Sequence, residues 1–333
     1  MTAGGTPAVV THRLAGVTDD ETYALPGTAL IVPPLSEHHD GVWHYTDAHG
    51  LAGIVGGGPS GWPEKIGVLW ATAATMLNDP DELEYGVARV VEWFEQQDYL
   101  DEGTAGAHIV IRSVLSGLRE WILANPAYVV CASTEGDMLG QWRGYAGTAG
   151  YAIKLDPAHE WAVWARDGQA GFAWSPSWVK VAYTAHEQDA LMRRYFSYLL
   201  SEDNFIGRLV AEFAIQDAVE HVRAMLSGLA TALKDPSFAA EQEVRLIAFP
   251  PDGVSPRFRG SVRGLVPYLE LVPAVFPHML RPHKPIALPV QDITVGPPRG
   301  DQMNQRARTA RILLDSTGRK AVPVNRSVIP FIP

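Results

Sequence analysis

The order of the predicted strands and helices is the feature that most restricts the fold of this chain. Short apolar runs typical of strands lie at residues 68–72, 127–133, 150–156, 178–183 and 241–249. These runs do not alternate regularly with helices, because the helical patterns come in pairs, at about residues 80–125 and 186–233. Runs of strands interspersed with pairs of helices favour an α+β fold over a doubly wound parallel sheet.

The domain organisation follows from length and from local composition. The chain has 333 residues, and its first 40 are rich in Gly, Thr and Pro, which predicts an irregular N-terminal arm over residues 1–40. We expect residues 41–333 to form a single α+β catalytic core, with the two helical pairs as insertions. The sequence shows no internal repeat and no glycine-rich phosphate loop.

Charge and cysteine content restrict the partners and the compartment. The net charge of −10 makes binding to bulk nucleic acid unfavourable. Cys131 is the single cysteine, so no internal disulfide can form, which fits a reducing cytoplasm. No stretch approaches the roughly 20 apolar residues of a membrane span. We therefore expect a cytoplasmic protein without a membrane partner, and its oligomeric state stays open.

The stretch His44-Tyr45-Thr46 is a candidate ligand site. It is predicted to end a strand just before a helix that Thr46 or Asp47 caps. Polar and anionic ligands are often held at such a helix N-terminus. The alternative interpretation is a structural His–Tyr pair at a strand edge.

Five short motifs occur in a fixed order along the chain. They are His44-Tyr45-Thr46, Leu77-Asn78-Asp79-Pro80-x-Glu82, Cys131-x-Ser133, Trp142-x-x-Tyr145 and Glu241-x-Glu243. Together they resemble, over residues 42–330, a bacterial family catalogued as domain of unknown function 2971. That family name implies no activity.

The chain is also similar, more distantly, to the ADP-ribosyltransferase superfamily. A His-Tyr-Thr strand end, a central aromatic motif and a late strand that opens with Glu-x-Glu resemble its three-part signature. The resemblance implies two small, packed, mainly antiparallel sheets that hold NAD, as co-substrate, between them. It also implies release of nicotinamide, with transfer of ADP-ribose to an unidentified protein, nucleic-acid base or small molecule, or to water.

The resemblance assigns the chemistry to two carboxylates and one imidazole. Glu243 would stabilise the oxocarbenium ion, and Glu241 would orient the acceptor or act as its base. His44 would anchor the ribose next to nicotinamide. We expect two carboxylates so close together to raise the pKa of one of them.

The remaining predicted cofactor contacts come from the middle motifs and from the first strand. Trp142 and Tyr145 are candidates to stack on nicotinamide, with Tyr45 as a rival. Ser133 would supply a small hydroxyl, and Arg143 would meet the pyrophosphate. Thr46 is included among the predicted cofactor contacts because it directly follows His44 and Tyr45.

Two other classes of function stay open. Asp79, Glu82, Glu241 and Glu243 would form an oxygen-rich site for a metal-dependent hydrolase or nuclease if the two segments meet. The simpler interpretation of the first segment is a helix start, with Asp79 as N-cap and Pro80 as first helical residue. The third class is a non-catalytic ligand-sensing module whose Trp and Tyr residues line a groove.

Overall fold

The computed structural model describes residues 39–79, 81–97, 105–164, 170–171, 176–200, 206–207, 215–251, 253–261, 264–273, 285–297 and 301–330. The predicted N-terminal arm lies outside the described residues, except for residues 39 and 40. The mixture of helices and strands confirms the predicted α+β class.

The described helices and strands are numbered in chain order. The helices are α1 (Ala48–Gly56), α2 (Glu82–Glu95), α3 (Ala105–Leu115), α4 (Leu118–Ala124), α5 (Leu139–Tyr145), α6 (Ala185–Leu199), α7 (Ile215–Thr231) and α8 (Gln302–Ser316). The strands are β1 (Val42–Thr46), β2 (Leu69–Ala73), β3 (Tyr128–Ser133), β4 (Tyr151–Leu155), β5 (Trp161–Trp164), β6 (Ala170–Gly171), β7 (Ser177–Lys180), β8 (Glu243–Ala248), β9 (Arg257–Ser261), β10 (Gly264–Pro273), β11 (Val290–Val295) and β12 (Val324–Arg326).

The strands of the described part form one connected sheet. Its order is β12-β11-β4-β1-β3-β2-β10-β5-β6, with β8 paired to β3, β7 to β8 and β9 to β10. Only the β11–β12 pair is parallel among the described strands. The prediction of two separate sheets is therefore corrected to a single sheet, because β3 pairs with β1, β2 and β8 and so links all the strands.

The sheet opens between β1 and β2. Strand β8 occupies one edge of β3 along its whole length, so β1 and β2 share the other edge. Strand β2 pairs with the start of β3, and β1 meets it at Ser133. The His44 ring lies in the gap, with Nδ1 2.7 Å from the carbonyl oxygen of Cys131. Through this contact the imidazole of β1 donates a hydrogen bond to a backbone carbonyl of β3.

Helices cover both faces of the sheet. Helices α2, α3, α4, α6 and α7 pack on one face, and α1 and α8 pack on the other. Val129 and Val130, which are adjacent in β3, belong to the two opposite cores. A strand buried on both faces reads as a continuous apolar run, and this burial explains the pattern at residues 127–133.

The start of α1 agrees with one of its two predicted caps, whereas the start of α2 differs from the prediction. Asp47 caps α1, because its Oδ1 accepts the amide hydrogen of Gly50 at 2.7 Å. Asp79 is not the N-cap of α2, which begins at Glu82 after Asp81. Its Oδ1 instead accepts the Asp81 amide hydrogen at 3.0 Å in the preceding turn. Pro80 lies outside the described residues.

The helical region predicted at about residues 80–125 contains three helices rather than a pair, because α3 and α4 are separated by Ser116 and Gly117. None of the helices in the described part combines the length and the apolar character that crossing a bilayer requires.

Candidate functional site

A group of charged side chains lies beneath the start of β8, where the sheet meets its larger helical layer. We call Glu82, Lys234, Glu241, Glu243 and Arg245 the ionic cluster. Lys234 is at its centre, with Nζ 2.6 Å from Glu241 Oε2, 2.9 Å from Glu243 Oε2 and 3.1 Å from Glu82 Oε2. The lysine side chain is only 5% exposed, so these contacts are shielded from water.

Arg245 completes the ionic cluster from the same strand. Its Nε and Nη2 donate to the two carboxylate oxygens of Glu243 at 2.9 and 2.8 Å, in a bidentate pair. Its Nη1 donates to the Thr231 carbonyl at 2.6 Å, and its Nη2 also pairs with Glu82. The guanidinium is therefore fixed on all sides and is 1% exposed.

Local structure brings these residues together. Glu243 and Arg245 are two apart in β8, so they project from the same sheet face toward the helical layer. Glu82 is the first residue of α2. Lys234 follows α7, and its amide donates to the Ala182 carbonyl at 3.1 Å, which holds the segment against the core.

The ionic cluster has unequal numbers of the two charges. Three carboxylates surround two cations, which leaves one formal negative charge in excess. The side chains of Glu82 and Glu243 are each 6% exposed, whereas that of Glu241 is 23% exposed. The excess negative charge therefore reaches the surface at Glu241.

The pKa of Glu243 is lowered, so the rise predicted for one of the two carboxyls does not occur at this residue. Burial alone raises the pKa of the carboxyl, but Arg245 and Lys234 outweigh burial and lower it to about 2. Because the Glu243 carboxylate is buried and paired with two cations, its oxygens are occupied within the ionic cluster. It is poorly placed to contact a substrate.

Besides Lys234, three side chains from neighbouring segments hydrogen-bond Glu241. The Tyr145 hydroxyl donates to its Oε1 at 3.2 Å. The Ser133 hydroxyl and the Gln141 amide donate to its carbonyl oxygen at 2.9 and 3.0 Å. We call Ser133, Gln141, Tyr145 and Glu241 the Glu241 rim. The rim contains Ser133 and Tyr145, from the two predicted middle motifs, and Glu241, from the predicted Glu-x-Glu motif.

Gln242 separates the two glutamates with a left-handed backbone. Its φ of 46° is unusual for a residue other than glycine. The Thr134 amide and hydroxyl donate to the carbonyl and side-chain oxygens of Gln242, both at 3.1 Å. Glu241 therefore ends a 3₁₀ turn, Pro236–Glu241, while Glu243 begins β8. The prediction that both glutamates lie on one strand was wrong for this reason.

His44 and Glu243 lie on opposite faces of the sheet. Trp43 is opposite Ser133, and Ser133 is opposite Glu243, so those three side chains share a face. His44, the next residue after Trp43, points to the other face. The predicted cleft between His44 and Glu243 is therefore absent.

The other predicted residues of β1 and the central motif are mostly enclosed. Tyr45 and Trp142, 7% and 1% exposed, form an edge-to-face pair with ring centroids 4.8 Å apart. The Tyr45 hydroxyl donates to the Glu135 carbonyl at 2.7 Å, and Trp142 Nε1 donates to Asp137 at 2.7 Å. Neither ring presents a free face for nicotinamide, which corrects their assignment as stacking candidates. Tyr145 is 37% exposed and retains that possibility.

Thr46, Arg143 and Cys131 are further residues of the predicted motifs. The Thr46 side chain lies over Gly50 in the first turn of α1, away from the Glu241 rim. Arg143 is exposed in the last turn of α5, and its pyrophosphate role stays a prediction. Burial, followed by the negative charge of Glu243, raises the pKa of the Cys131 thiol well above its ordinary value. A neutral thiol of this kind is a poor nucleophile.

The predicted metal site is replaced by an ammonium group. Glu82, Glu241 and Glu243 do meet, but Lys234 lies among their oxygens where a cation would bind. Asp79 is committed to the turn before α2. Within the residues that the structure describes, no group of three or more His, Cys, Asp or Glu side chains is arranged to hold a metal ion.

Lys234, Arg245 and Gln141 are the members of the site that sequence reasoning did not select. Lys234 ends the largely apolar run from Leu226 to Leu233, immediately before Asp235-Pro236. A lysine at the end of such a buried run is a signal for a paired buried charge, because lysine is almost never buried alone. No family model, curated protein or solved structure matches this chain.

Proposed function

We propose that this protein cleaves the nicotinamide glycosidic bond of NAD and passes ADP-ribose to an acceptor or to water, as ADP-ribosyltransferases do. The observation that carries the proposal is the Glu241 rim. Ser133, Tyr145 and Glu241 come from separate motifs of the resemblance, yet Ser133 hydrogen-bonds the backbone carbonyl of Glu241 and Tyr145 hydrogen-bonds its partly exposed carboxylate. The core proposed for this chemistry is the part of the single sheet around β1, β3 and β8.

Glu241, rather than Glu243, is the proposed catalytic carboxylate. When the bond between ribose C1′ and the nicotinamide nitrogen breaks, its electron pair leaves with neutral nicotinamide and positive charge develops on the sugar. The excess negative charge of the ionic cluster is exposed at Glu241 and complements that developing charge. The acceptor oxygen or nitrogen then bonds to C1′ and transfers its proton to the Glu241 carboxylate.

Glu243 has a positioning role in this proposal. It holds Lys234 at 2.9 Å, and Lys234 in turn holds Glu241 at 2.6 Å. The contact with the ammonium group restricts the motion of the Glu241 carboxylate. A fixed carboxylate needs no reorganisation when the sugar becomes cationic.

Tyr145 supplies the aromatic surface. Its hydroxyl donates to Glu241, and its partly exposed ring can contact the cationic nicotinamide through the ring face. Burial, with the negative charge of Glu241 next, raises the pKa of the hydroxyl, so it stays a donor at neutral pH. His44 and Thr46 lie on the other sheet face and are not part of the proposed site.

The class of reaction is tested by incubating the full chain with NAD and measuring free nicotinamide, with and without added EDTA. We expect NAD to raise the melting temperature and nicotinamide to accumulate in both conditions. Loss of activity with EDTA would favour the metal-dependent alternative. Binding of NAD without release of nicotinamide, with protein, nucleic acid and water as acceptors, would favour a ligand-sensing module and would contradict the transferase.

A further inference from the structure

A second group of chemically distinctive side chains lies on β2, β9 and β10. Tyr268 is opposite Thr72 on one neighbouring strand and opposite Arg257 on the other. Trp70 and Arg259 lie two residues along from Thr72 and Arg257, so all five side chains share one sheet face. We call Trp70, Thr72, Arg257, Arg259 and Tyr268 the β9–β10 patch.

Arg259 is a fixed and exposed positive charge. Its Nη2 donates to the Thr72 hydroxyl at 2.9 Å, and its guanidinium carbon lies 5.8 Å from the centre of the Trp70 ring. These two contacts hold the guanidinium in place. No carboxylate in the described part of the chain lies within ion-pair distance of Arg259. Its charge is therefore available to a ligand.

Arg257, by contrast, already has an acidic neighbour. Its Nε lies 3.6 Å from Oε2 of Glu270, a carboxylate that is only 5% exposed. The same carboxylate accepts the amide and hydroxyl hydrogens of Ser60 at 2.9 and 2.8 Å. Arg257, Arg259 and Glu270 together carry one net positive charge, in a protein whose net charge is −10.

Aromatic rings lie next to this charge. The Trp70 and Tyr268 rings are 5.5 Å apart between centroids, at 49° to each other, and both are half-buried. Each ring therefore has a buried part that fixes it and an exposed part that a flat ligand can contact. A guanidinium beside exposed aromatic faces is suited to a molecule that combines a planar ring with an anionic group.

We propose that the β9–β10 patch binds a nucleoside phosphate, with the base against Tyr268 and Trp70 and the phosphate at Arg259. A phosphate accepts the paired donors of a guanidinium, and a base can stack on an aromatic side chain. This binding does not depend on the proposed cleavage of NAD, because Glu241 and the ionic cluster contribute nothing to the patch.

The test is titration calorimetry of the full chain with AMP, adenosine and ribose 5-phosphate. We expect AMP to bind and each fragment to bind at least tenfold more weakly, because each lacks one half of the recognised chemistry. Arg259→Gln should weaken AMP binding at least tenfold, and Arg259→Lys should weaken it less. Arg308→Gln, at an exposed arginine on α8, is the matched control and should leave the affinity unchanged.

The binding measurements can overturn the proposal in several ways. Absence of AMP binding, or equal affinity in Arg259→Gln and the wild type, would overturn the proposal. Equal binding of ribose 5-phosphate and AMP would also overturn it, since the aromatic rings would then play no part. Tyr268→Leu checks the base contact separately from the phosphate contact.

Discussion

Lys234 and Glu243 form an enclosed ion pair at the start of β8, with Nζ and Oε2 2.9 Å apart and with side chains 5% and 6% exposed. The same ammonium group contacts Glu241 and so links the enclosed pair to a partly exposed carboxylate. Removing either buried partner leaves the other charge without compensation in a poorly hydrated environment. The stability of the fold and the geometry of the proposed site therefore depend on the same lysine.

We predict that Lys234→Met lowers the free energy of unfolding by about 3 kcal/mol, because it leaves buried carboxylates uncompensated. Urea denaturation followed by circular dichroism measures the change. Arg193→Gln is the control, since the Arg193–Asp189 pair has side chains 66% and 36% exposed and its loss should cost less than about 1 kcal/mol. Equal effects of the two substitutions would contradict the structural role of Lys234.

Acid should destabilise the protein through Glu243. The folded state lowers the pKa of this carboxyl from 4.5 to about 2, because Arg245 and Lys234 overcome the opposite effect of burial. A lowered pKa contributes stability that is fully present above pH 4.5 and is lost as the pH falls toward 2. Glu243→Gln should flatten this part of the pH profile of unfolding free energy. An unchanged slope in the variant would contradict the assignment.

The backbone of Gln242 gives a prediction about strain. Gln242→Gly removes the steric cost of the φ of 46° but loses the hydrogen bond from Thr134, so we expect little net change in stability. Gln242→Val keeps the strain, adds a β-branched side chain and should cost about 2 kcal/mol. Thermal unfolding of the two variants measures the difference. Equal melting temperatures would show that the left-handed backbone carries no cost.

Asp137 connects the loop after β3 to the C-terminal segment. Its carboxylate accepts hydrogen bonds from Trp142 Nε1 at 2.7 Å, the Ser327 hydroxyl at 2.6 Å and the Val328 amide at 2.8 Å. Asp137→Ala should lower stability by about 2 kcal/mol, because buried donors lose a charged acceptor. It should also speed hydrogen exchange at the Val328 amide.

The control for Asp137 is Asp301→Ala, because Asp301 precedes α8 without a side-chain cap bond. This substitution should leave exchange at Val328 unchanged. If Asp137→Ala also leaves that amide protected, the segment after β12 is held by other contacts and the role given to Asp137 is wrong.

Much of the secondary structure could be predicted, because helices and strands depend mainly on the local sequence pattern. The apolar run at residues 127–133 became β3, which is buried on both faces, and the helical pattern at about residues 186–233 became α6 and α7. The linkage of all strands through β3 could not be predicted, because strand pairing depends on contacts between distant segments. Nothing in the local sequence specifies that β3 has three partners.

The site was predictable only in part, for the same physical reason. Ser133, Tyr145 and Glu241 were selected from motifs, and the structure brings them together. The role assigned to His44 required its side chain to face the same site as Glu243, but it points to the opposite face of the sheet. A shift of one residue along a strand reverses the side-chain direction. The left-handed turn at Gln242 also broke the strand pattern that the Glu-x-Glu motif indicated.

The most direct test of the proposed mechanism is the rate of nicotinamide release from NAD by Glu241→Gln, compared with the wild type and with Glu84→Gln. Glu84 forms an exposed ion pair with Arg119 and serves as the matched control. We predict that Glu241→Gln lowers the rate by roughly 100-fold or more, because an amide cannot compensate the positive charge on the sugar. Glu84→Gln should retain the wild-type rate. A folded Glu241→Gln variant that releases nicotinamide as fast as the wild type would contradict the assignment of Glu241.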